Sequence, residues 1–383
     1  MIKKINIAVI GTGSMGRTHS YSAANLRFYY ENLPFIPVLH TICSRDKHKG
    51  EQLKNDWGFL YSETDINKIL SNPEIDVVDI CTPNVYHFET IMGALSHGKN
   101  IYCEKPLVIS GEQAAQVLAG ASGSTGVNAV VFNHRFFPAI LRARQLIEEN
   151  RLGRIISFRC AYLHDSNMDI NKTAHWKQDL SIGGGGVLFD LGSHAIDLMR
   201  FLLSSGPAGD FQSVSGASQI FFPIRKGTDG SHWHTNTDEA FYITAKLTDG
   251  AVGTIEASKL ALGTNAGLTF SIYGEYGALK FDMMQPNYLE FYDNARPGGE
   301  YGGEKGFTKI ECVQRYPSPS VLPGVKVSVG WIRSHMHCYY LYLDSVYNGR
   351  LNRLLPTLSD GAAVQNIMEK AYLSDKTGRW ETL

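Results

Sequence analysis

The segment spanning residues 5–16, INIAVIGTGSMG, constrains the fold more than any other part of the chain. An apolar, β-rich run ends at Gly11, and Gly13 and Gly16 follow before a stretch that can form a helix. In such a unit the first glycine permits a tight turn, the second lets a ligand approach the backbone, and the third lets the helix pack on its strand. Free N–H groups at the helix N-terminus then bind phosphate. We therefore predict a dinucleotide site at Gly11, Thr12, Gly13, Ser14, Met15 and Gly16.

The chain continues as alternating strands and helices to about residue 133. Strand-like runs at residues 37–44, 76–84, 100–107 and 128–133 are separated by helical stretches at 47–57, 87–98 and 111–121. Strands that are apolar almost throughout indicate a parallel sheet covered on both faces, and such sheets bind ligands at the carboxyl ends of their strands. Further cofactor-binding candidates therefore follow the strands: Ser44, Arg45, Cys81, Thr82, Pro83, Asn84, His87, Glu104, Lys105 and Asn133.

The choice of cofactor is expected to depend on the residues that follow the second strand. NAD enzymes usually place an acidic residue there to bind the ribose 2′-hydroxyl, whereas this chain has Ser44 and Arg45. An arginine suits a 2′-phosphate, so NAD(P) is expected with a slight preference for NADP. Asp46, one residue later, would instead favour NAD. The alternative for Arg45 is an exposed side chain that does not contact the cofactor.

The second half of the chain has a different pattern. After a helical stretch at residues 139–153 and a strand, two alternating segments at 239–260 and 267–282 read as antiparallel hairpins. Residues 286–329 are rich in Gly, Pro and charge and are predicted to form loops or an arm, before two closing helices. The predicted fold class is α/β: a Rossmann dinucleotide-binding domain over residues 1–135, then an α+β domain over 136–383 with a large, mostly antiparallel open sheet.

The segment GGGGVLFDLGSHAIDL, which starts at Gly183, carries the main catalytic candidates. After its four glycines the segment is predicted to continue as a helix, on which Asp190, His194 and Asp197 share one stripe of an otherwise apolar, buried surface. Polar groups in such a helix must face a partner or a cleft. The alternatives are a hydrogen-bonded core histidine or a solvated helix edge, but four glycines in succession favour a close approach of the backbone to something.

Other polar clusters are weaker candidates. Trp176 and Lys177 suit stacking and hydrogen bonding to a sugar, with a surface loop around one buried tryptophan as the alternative, and His164 is a further substrate-binding candidate. The pairs His232/His234 and His335/His337 lack a complete ligand set at a known spacing, so no metal is expected.

Length and charge exclude several classes of function. A chain of 383 residues predicts two domains, and a formal net charge of -1 without a Lys/Arg run argues against nucleic acid or an anionic membrane as partner. No run approaches the roughly 20 apolar residues of a membrane span, and six scattered cysteines suit buried, reduced thiols. We expect a cytoplasmic protein with a small neutral ligand.

The glycine fingerprint, CTPN at residues 81–84, CEKPL at 103–107, NHRFFP at 133–138 and the glycine-rich segment at 183–198 together resemble the Gfo/Idh/MocA oxidoreductases. Softer patterns resemble the branch that contains levoglucosan dehydrogenase and inositol dehydrogenase-like enzymes. The resemblance implies a Rossmann domain, a C-terminal sheet through which homodimers or homotetramers form, and NAD(P)-dependent chemistry on sugars and cyclitols. It assigns catalytic and substrate-binding roles to Lys105, Asp190 and His194.

The resulting hypothesis is hydride transfer between the nicotinamide and a ring hydroxyl or carbonyl of a sugar, anhydrosugar or cyclitol. His194 would remove the hydroxyl proton, Asp190 would support the charged imidazole, and Lys105 would bind the reacting oxygen. One alternative is an NAD-dependent glycosidase of the same fold, acting by oxidation and elimination. Another is a non-catalytic sugar or nucleotide sensor.

Overall fold

The computed structural model describes residues 2–206, 209–227, 230–328 and 330–383. The chain forms two compact units. The first contains the residues up to Phe136 together with Tyr316–Ala363, and the second contains Phe137–Arg315 together with Val364–Leu383. Among the described helices, none is long and apolar enough to cross a membrane.

A six-stranded parallel sheet forms the centre of the first unit. Its strands are β1 (Lys3–Ile10), β2 (Phe35–Cys43), β3 (Tyr61–Glu63), β4 (Val77–Ile80), β5 (Asn100–Glu104) and β6 (Asn128–Val131). The helices between them are α1 (Ser14–Tyr29), α2 (Lys47–Trp57), α3 (Ile66–Ser71), α4 (His87–Ser96) and α5 (Gly111–Ala121). The strand order β3-β2-β1-β4-β5-β6, with every pair parallel, is that of a doubly wound dinucleotide fold. The Rossmann prediction is confirmed.

The second unit is built on a nine-stranded mixed sheet. Its helices are α6 (Pro138–Glu148), α7 (Leu180–Gly183) and α8 (Ser193–Leu203). Its strands are β7 (Ile155–Leu163), β8 (Phe211–Gln219), β9 (Ile224–Lys226), β10 (His232–His234), β11 (Ala240–Leu247), β12 (Val252–Ser258), β13 (Gly267–Gly274), β14 (Gly277–Asp282), β15 (Tyr288–Asp293), β16 (Phe307–Glu311) and β17 (Glu381–Thr382). Strands β9 and β10 form a separate two-stranded ribbon.

The large sheet has the order β16-β15-β14-β13-β7-β12-β11-β8-β17 and is antiparallel except at the β7–β12 pair. Both predicted hairpins are present, as β11–β12 and β13–β14. Phe241, Ile243 and Leu247 on one strand face are buried, whereas Tyr242 on the other is exposed. Alternation of this kind marks a sheet with one face on a core, here covered by α6 and α8. The predicted α+β architecture is confirmed.

Residues 286–329 are not entirely loop. The prediction was wrong for β15 and β16, which extend the sheet by two strands. The segment YLEFYD alternates in burial, with Leu289 and Phe291 inside. Its period-2 pattern is short and is flanked by Gly- and Pro-rich sequence, so the turn residues concealed it.

Two helices close the chain, α9 (Trp331–Asn348) and α10 (Leu358–Thr377). Helix α9 packs on α1 in the first unit, where Tyr339 and Tyr342 are fully buried in a core shared with Leu26 and Tyr102. The predicted domain boundary, after residue 135, lies next to the first point at which the chain leaves the first unit, after Phe136. The sequence did not indicate that residues 316–363 return to that unit. An apolar helix shows that it must be buried, but its sequence does not say against which sheet.

Candidate functional site

The glycine loop between β1 and α1 is shaped by two close backbone contacts. Gly11 has φ +112°, and a Cβ there would lie 2.4 Å from the carbonyl oxygen of Cys81. A Cβ on Gly16 would lie 2.1 Å from the carbonyl oxygen of Gly11. Both positions need glycine for the fold itself.

Gly13 differs from its two neighbours in the loop. Apart from its chain neighbours, no atom of the described residues lies within 4 Å of the position that its Cβ would occupy. The residue precedes α1 without a side-chain cap, and the first turn of the helix contains no acidic residue. Open space above free N–H groups at the positive end of a sixteen-residue helix fits the pyrophosphate of a dinucleotide. Thr12, Ser14 and Met15 complete this loop and are at least partly exposed.

The residues after β2 have distinct contacts. The Ser44 N–H donates to the Glu63 carbonyl at 3.1 Å, and the Arg45 guanidinium lies 5.7 Å from the Tyr86 ring centroid. Asp46 caps α2 by accepting the N–H of Lys49 at 3.1 Å. The carboxylate that could bind the ribose of NAD is therefore already hydrogen-bonded as the N-cap of α2.

The ends of β4 and β5 are joined by one imidazole. The His87 ring lies between the carbonyl oxygens of Thr82, 3.0 Å from Nε2, and Pro106, 2.9 Å from Nδ1. Burial lowers the pKa of His87, so the ring is neutral and donates to one of these oxygens at a time. The Lys105–Pro106 peptide bond is cis.

The remaining candidates of the first unit are also placed at the carboxyl ends of the strands. Cys81, Pro83 and Asn84 follow β4, Glu104 ends β5 and Lys105 follows it. Asn133 follows β6 in a short 3₁₀ helix, where its amide donates to the Ser334 hydroxyl at 3.1 Å. The first unit thus brings the predicted cofactor residues to one edge of its sheet.

In the second unit the glycine-rich segment is not one continuous helix. Helix α7 ends at Gly183 and is capped by Gly184, which has φ +76°, and Leu188–Gly192 forms a π-helical turn that leads into α8. A π turn inserts an extra residue, so Asp190 lies in a different helical register from His194 and Asp197. The prediction of a regular helix through residue 190 was wrong, since a 3.6-residue period gives no sign of a single wide turn.

The glycines are explained by contacts within the second unit. A Cβ on Gly186 would lie 2.2 Å from the backbone oxygen of Asp238, and one on Gly185 would lie 2.8 Å from the Tyr372 hydroxyl. The Asp238 carboxylate accepts the N–H groups of Gly186 at 3.0 Å and Leu188 at 2.9 Å, and the Tyr372 hydroxyl donates to it at 2.5 Å. Burial raises the pKa of Asp238 against these hydrogen bonds. The close approach expected from the glycines is therefore to this chain's own backbone.

Asp190 is the centre of a charged cluster. Its Oδ1 lies 2.6 Å from Lys177 Nζ, and its Oδ2 lies 2.8 Å from Lys259 Nζ. Lys177 belongs to a short 3₁₀ helix with Trp176, whose ring centroid is 5.7 Å from the same ammonium. The structure thus brings together three of the predicted substrate residues.

Two histidines border this cluster on the side of β7. The ring of Tyr162 lies 5.2 Å from that of His164 and 5.9 Å from that of His194. Burial lowers the pKa of His164, the Asp190 carboxylate raises it, and the Lys259 ammonium lowers it, with a net decrease. His164 is thus a neutral ring beside the charged groups, and its Nε2 has no hydrogen-bond partner among the described residues.

The sequence interpretation missed Lys259. It follows directly after β12 and is buried, and its backbone N–H donates to the Glu239 carbonyl at 2.9 Å. A lysine at the end of an apolar strand is the pattern that singled out Lys105, so the same reasoning applied to EASKL would have found it. Asp238 and Glu239, on the approach to β11, gave no comparable pattern.

The histidine pairs considered for metal have separate surroundings. His232 and His234 are exposed on the β9–β10 ribbon. His337 Nδ1 lies 2.9 Å from the Tyr30 hydroxyl. His335 offers a ring nitrogen within 4.8 Å of ligand atoms of His19 and Glu104, in the first unit.

Comparison with known proteins agrees with this arrangement. Residues 5–132 match the model of the oxidoreductase family with an NAD-binding Rossmann fold, and residues 140–280 match the GFO/IDH/MocA C-terminal domain. This chain therefore belongs to the Gfo/Idh/MocA family of oxidoreductases, and its first unit is an NAD-binding Rossmann fold.

Individual relatives are similar over most of their length. Levoglucosan dehydrogenase of Pseudarthrobacter phenanthrenivorans is 32% identical, with 99% of this chain and 98% of the relative covered. The NAD⁺-dependent scyllo-inositol 2-dehydrogenase of Bacillus subtilis is 28% identical over 68% of each chain. A solved structure of levoglucosan dehydrogenase with NADH and levoglucosan has a TM-score of 0.92 at 29% identity, covering 99% of both chains.

Proposed function

We propose that this protein is an NAD(P)-dependent dehydrogenase or reductase that acts on a ring hydroxyl or carbonyl of a sugar, anhydrosugar or cyclitol. The observation that carries the proposal is the Asp190 cluster, where a carboxylate with two ammonium groups adjoins Trp176. Charged hydrogen-bonding groups beside an aromatic ring suit a neutral polyhydroxylated ring. The relatives named after levoglucosan and scyllo-inositol support the same substrate class.

Each residue of the proposed site has a separate role in the reaction. The bound nicotinamide supplies the hydride acceptor in oxidation and the donor in reduction. In oxidation, His194 takes the proton of the substrate hydroxyl, and the negative charge of Asp190 favours the protonated ring. Lys105 donates a hydrogen bond to the reacting oxygen, where negative charge grows as the proton leaves. Lys177 and Lys259 hold the Asp190 carboxylate in place.

The cofactor would be held by the glycine loop and by the strand ends around it. Gly13 leaves room for the pyrophosphate, and the uncapped start of α1 offers N–H groups to it. The Asp46 carboxylate, which could bind the ribose hydroxyls of NAD, already caps α2. The Arg45 guanidinium after β2 could bind the 2′-phosphate of NADP, so it supports use of NADP as well as NAD. We further propose that homodimers or homotetramers form through the large sheet, which light scattering on the purified protein tests.

A substrate screen combined with one pair of variants tests this function. Formation of reduced cofactor is followed over levoglucosan, inositols, hexoses and glycosides with NAD and with NADP. Lys105→Met should lower kcat by roughly 100-fold or more, the typical size of one general-acid or electrostatic contribution, while the Kd of NADH changes little.

The matched control is Lys99→Met, at the amino end of the same strand. Lys99 Nζ donates to the carbonyls of Asn72 and Ile75, so its loss should reduce stability and leave kcat unchanged. Unchanged turnover in Lys105→Met would disprove the role of this lysine. Cleavage of a glycoside without net cofactor reduction would indicate the glycosidase instead.

A further inference from the structure

A buried histidine lies between two carboxylates beneath the end of β5. His19, on α1, places Nδ1 2.8 Å from Asp79 Oδ1 and Nε2 3.2 Å from Glu104 Oε1. All three side chains are almost inaccessible to solvent, at 0%, 0% and 8% exposure. The contact with Asp79 is a hydrogen bond, and the contact with Glu104 is an ion-pair approach without hydrogen-bond alignment.

Asp79 is fixed independently of His19. Its second oxygen accepts the Tyr339 hydroxyl at 2.9 Å, and the Cys81 thiol donates to the first at 3.3 Å. Burial raises the pKa of Cys81 far above neutrality, so this thiol stays uncharged. The hydrogen bond to Asp79 therefore fixes the orientation of the imidazole ring, and this orientation directs Nε2 toward Glu104.

The charges of this cluster require a cation. Two carboxylates removed from water cost several kcal/mol unless a positive group accompanies them. Burial lowers the pKa of His19, but the Asp79 carboxylate, 2.8 Å from Nδ1, outweighs this and holds the pKa well above 6.5. The other neighbouring rings carry no charge, because burial lowers the pKa of His335 and raises those of Tyr102 and Tyr339. His19 is thus the cation between the carboxylates.

Glu104 connects His19 to the backbone of Lys105. Its second oxygen, Oε2, accepts the backbone N–H of Lys105 at 3.2 Å. Resting on the proposed function for the role of the Lys105 ammonium, we propose that His19 is a positioning residue, which holds Glu104 and through it the chain at Lys105. No contact with substrate or cofactor is required of His19.

Three variants and one matched control test the proposal. His19→Gln and Glu104→Gln should each lower kcat about 10- to 100-fold, because a small misplacement of a reacting group has effects of this size. The double variant should be no slower than the slower single variant, since the two residues act as a unit. KM and the Kd of NADH should stay within about threefold. The double variant also removes one of the two buried carboxylates that lose their positive partner in His19→Gln, while Asp79 keeps its hydrogen bond from Tyr339.

The control is His40→Gln. His40 is also buried, and its Nε2 lies 3.6 Å from the Glu74 carboxylate, at another place in the first unit. This variant should lose stability and keep full kcat. A purely structural role for His19 predicts the same result for His19→Gln, so full turnover in His19→Gln would overturn the proposal.

A second measurement does not depend on turnover. The acylation rate of Lys105 by acetic anhydride, read by mass spectrometry, should change at least several-fold in His19→Gln and not in His40→Gln. If Lys105→Met keeps full activity, the proposed role of Lys105 in turnover fails. The acylation rates alone then decide the present proposal, and equal rates in His19→Gln and the unchanged protein would overturn it. Metal analysis adds one more outcome: a stoichiometric divalent ion lost in His19→Gln would mean that His19 is a metal ligand, either with Glu104 and His335 or with Asp79 and Cys81, and would also overturn the proposal.

Discussion

Lys259 Nζ lies 2.8 Å from Asp190 Oδ2, in a contact where both side chains are more than four-fifths buried. We predict that Lys259→Met lowers the free energy of unfolding by roughly 1–3 kcal/mol, the range for a hydrogen bond to a charged group, because Asp190 keeps only one ammonium. Lys177→Met should cost less than about 1 kcal/mol, since the Lys177 side chain is 37% exposed. Urea unfolding of both variants measures the difference, and equal losses would contradict it.

Gly13→Ala should separate cofactor binding from folding. Within the part of the chain that the structure describes, nothing except the neighbouring residues lies within 4 Å of the added Cβ, so we expect the free energy of unfolding to change by under about 1 kcal/mol. The Kd of NADH should rise about tenfold or more, because the methyl group occupies the approach to the loop. Fluorescence titration measures this, and Gly16→Ala is the comparison that should fail in folding. An unchanged Kd would place the pyrophosphate elsewhere.

Gly186→Ala should destabilise the second unit severely. Its Cβ would lie 2.2 Å from the Asp238 backbone oxygen, which only a shift of the chain can relieve. We expect a loss of about 3 kcal/mol or more, at the upper end of the range for overpacked buried sites, because the clash is with backbone. For Gly183→Ala the nearest atom beyond the chain neighbours, among the described residues, is the Lys177 carbonyl oxygen at 3.6 Å, so this change should cost little. Thermal unfolding of the pair decides whether the glycine segment serves packing.

Arg45→Ala tests the preference for NADP. Loss of a charged hydrogen bond to the 2′-phosphate should lower kcat/KM for NADP roughly 10- to 100-fold and leave the value for NAD within about threefold. Arg27→Ala, which also removes an arginine stacked on an aromatic ring, should affect neither cofactor. Equal losses with both cofactors would show that Arg45 acts on the fold.

The buried neutral histidines should make the protein sensitive to acid. Burial lowers the pKa values of His335 and His337 well below 6.5, whereas the unfolded chain keeps the ordinary value. Protons then bind the unfolded state preferentially, so stability is retained above pH 6.5 and falls as the pH drops below it, by up to about 1.4 kcal/mol per pH unit and group. His335→Gln should flatten this decrease between pH 6.5 and 5, measured by denaturant unfolding at each pH. A parallel curve would show that His335 does not contribute.

The sequence predicted elements whose pattern is local. The strand at residues 5–10 and its glycines, the helix Lys47–Trp57 and the β11–β12 hairpin each depend on periodicity or turn chemistry within about twenty residues. The π turn at Asp190 was missed for the same reason, because one inserted residue leaves the apolar spacing almost unchanged.

Contacts between distant residues had no such pattern. The pairs Lys259–Asp190, Asp238–Gly186 and His19–Glu104 join positions that only the folded chain brings together. For Lys105 and Lys259 the sequence showed that a charge ends a strand, but not which partner would meet it. The type of chemistry was therefore predictable from sequence, and the hydrogen-bond partners were not.

The return of α9 to the first unit has a consequence for synthesis. The chain leaves the ribosome from its N-terminus, and the first 136 residues emerge about two hundred residues before Tyr339 and Tyr342, which fill their core. The core of the nucleotide-binding unit therefore stays incompletely packed until residues 137–315 of the second unit have been synthesised. An isolated fragment ending at residue 136 would expose the apolar surface that α9 covers, whereas a circularly permuted chain that begins near residue 316 would bring the halves of this unit together from the start.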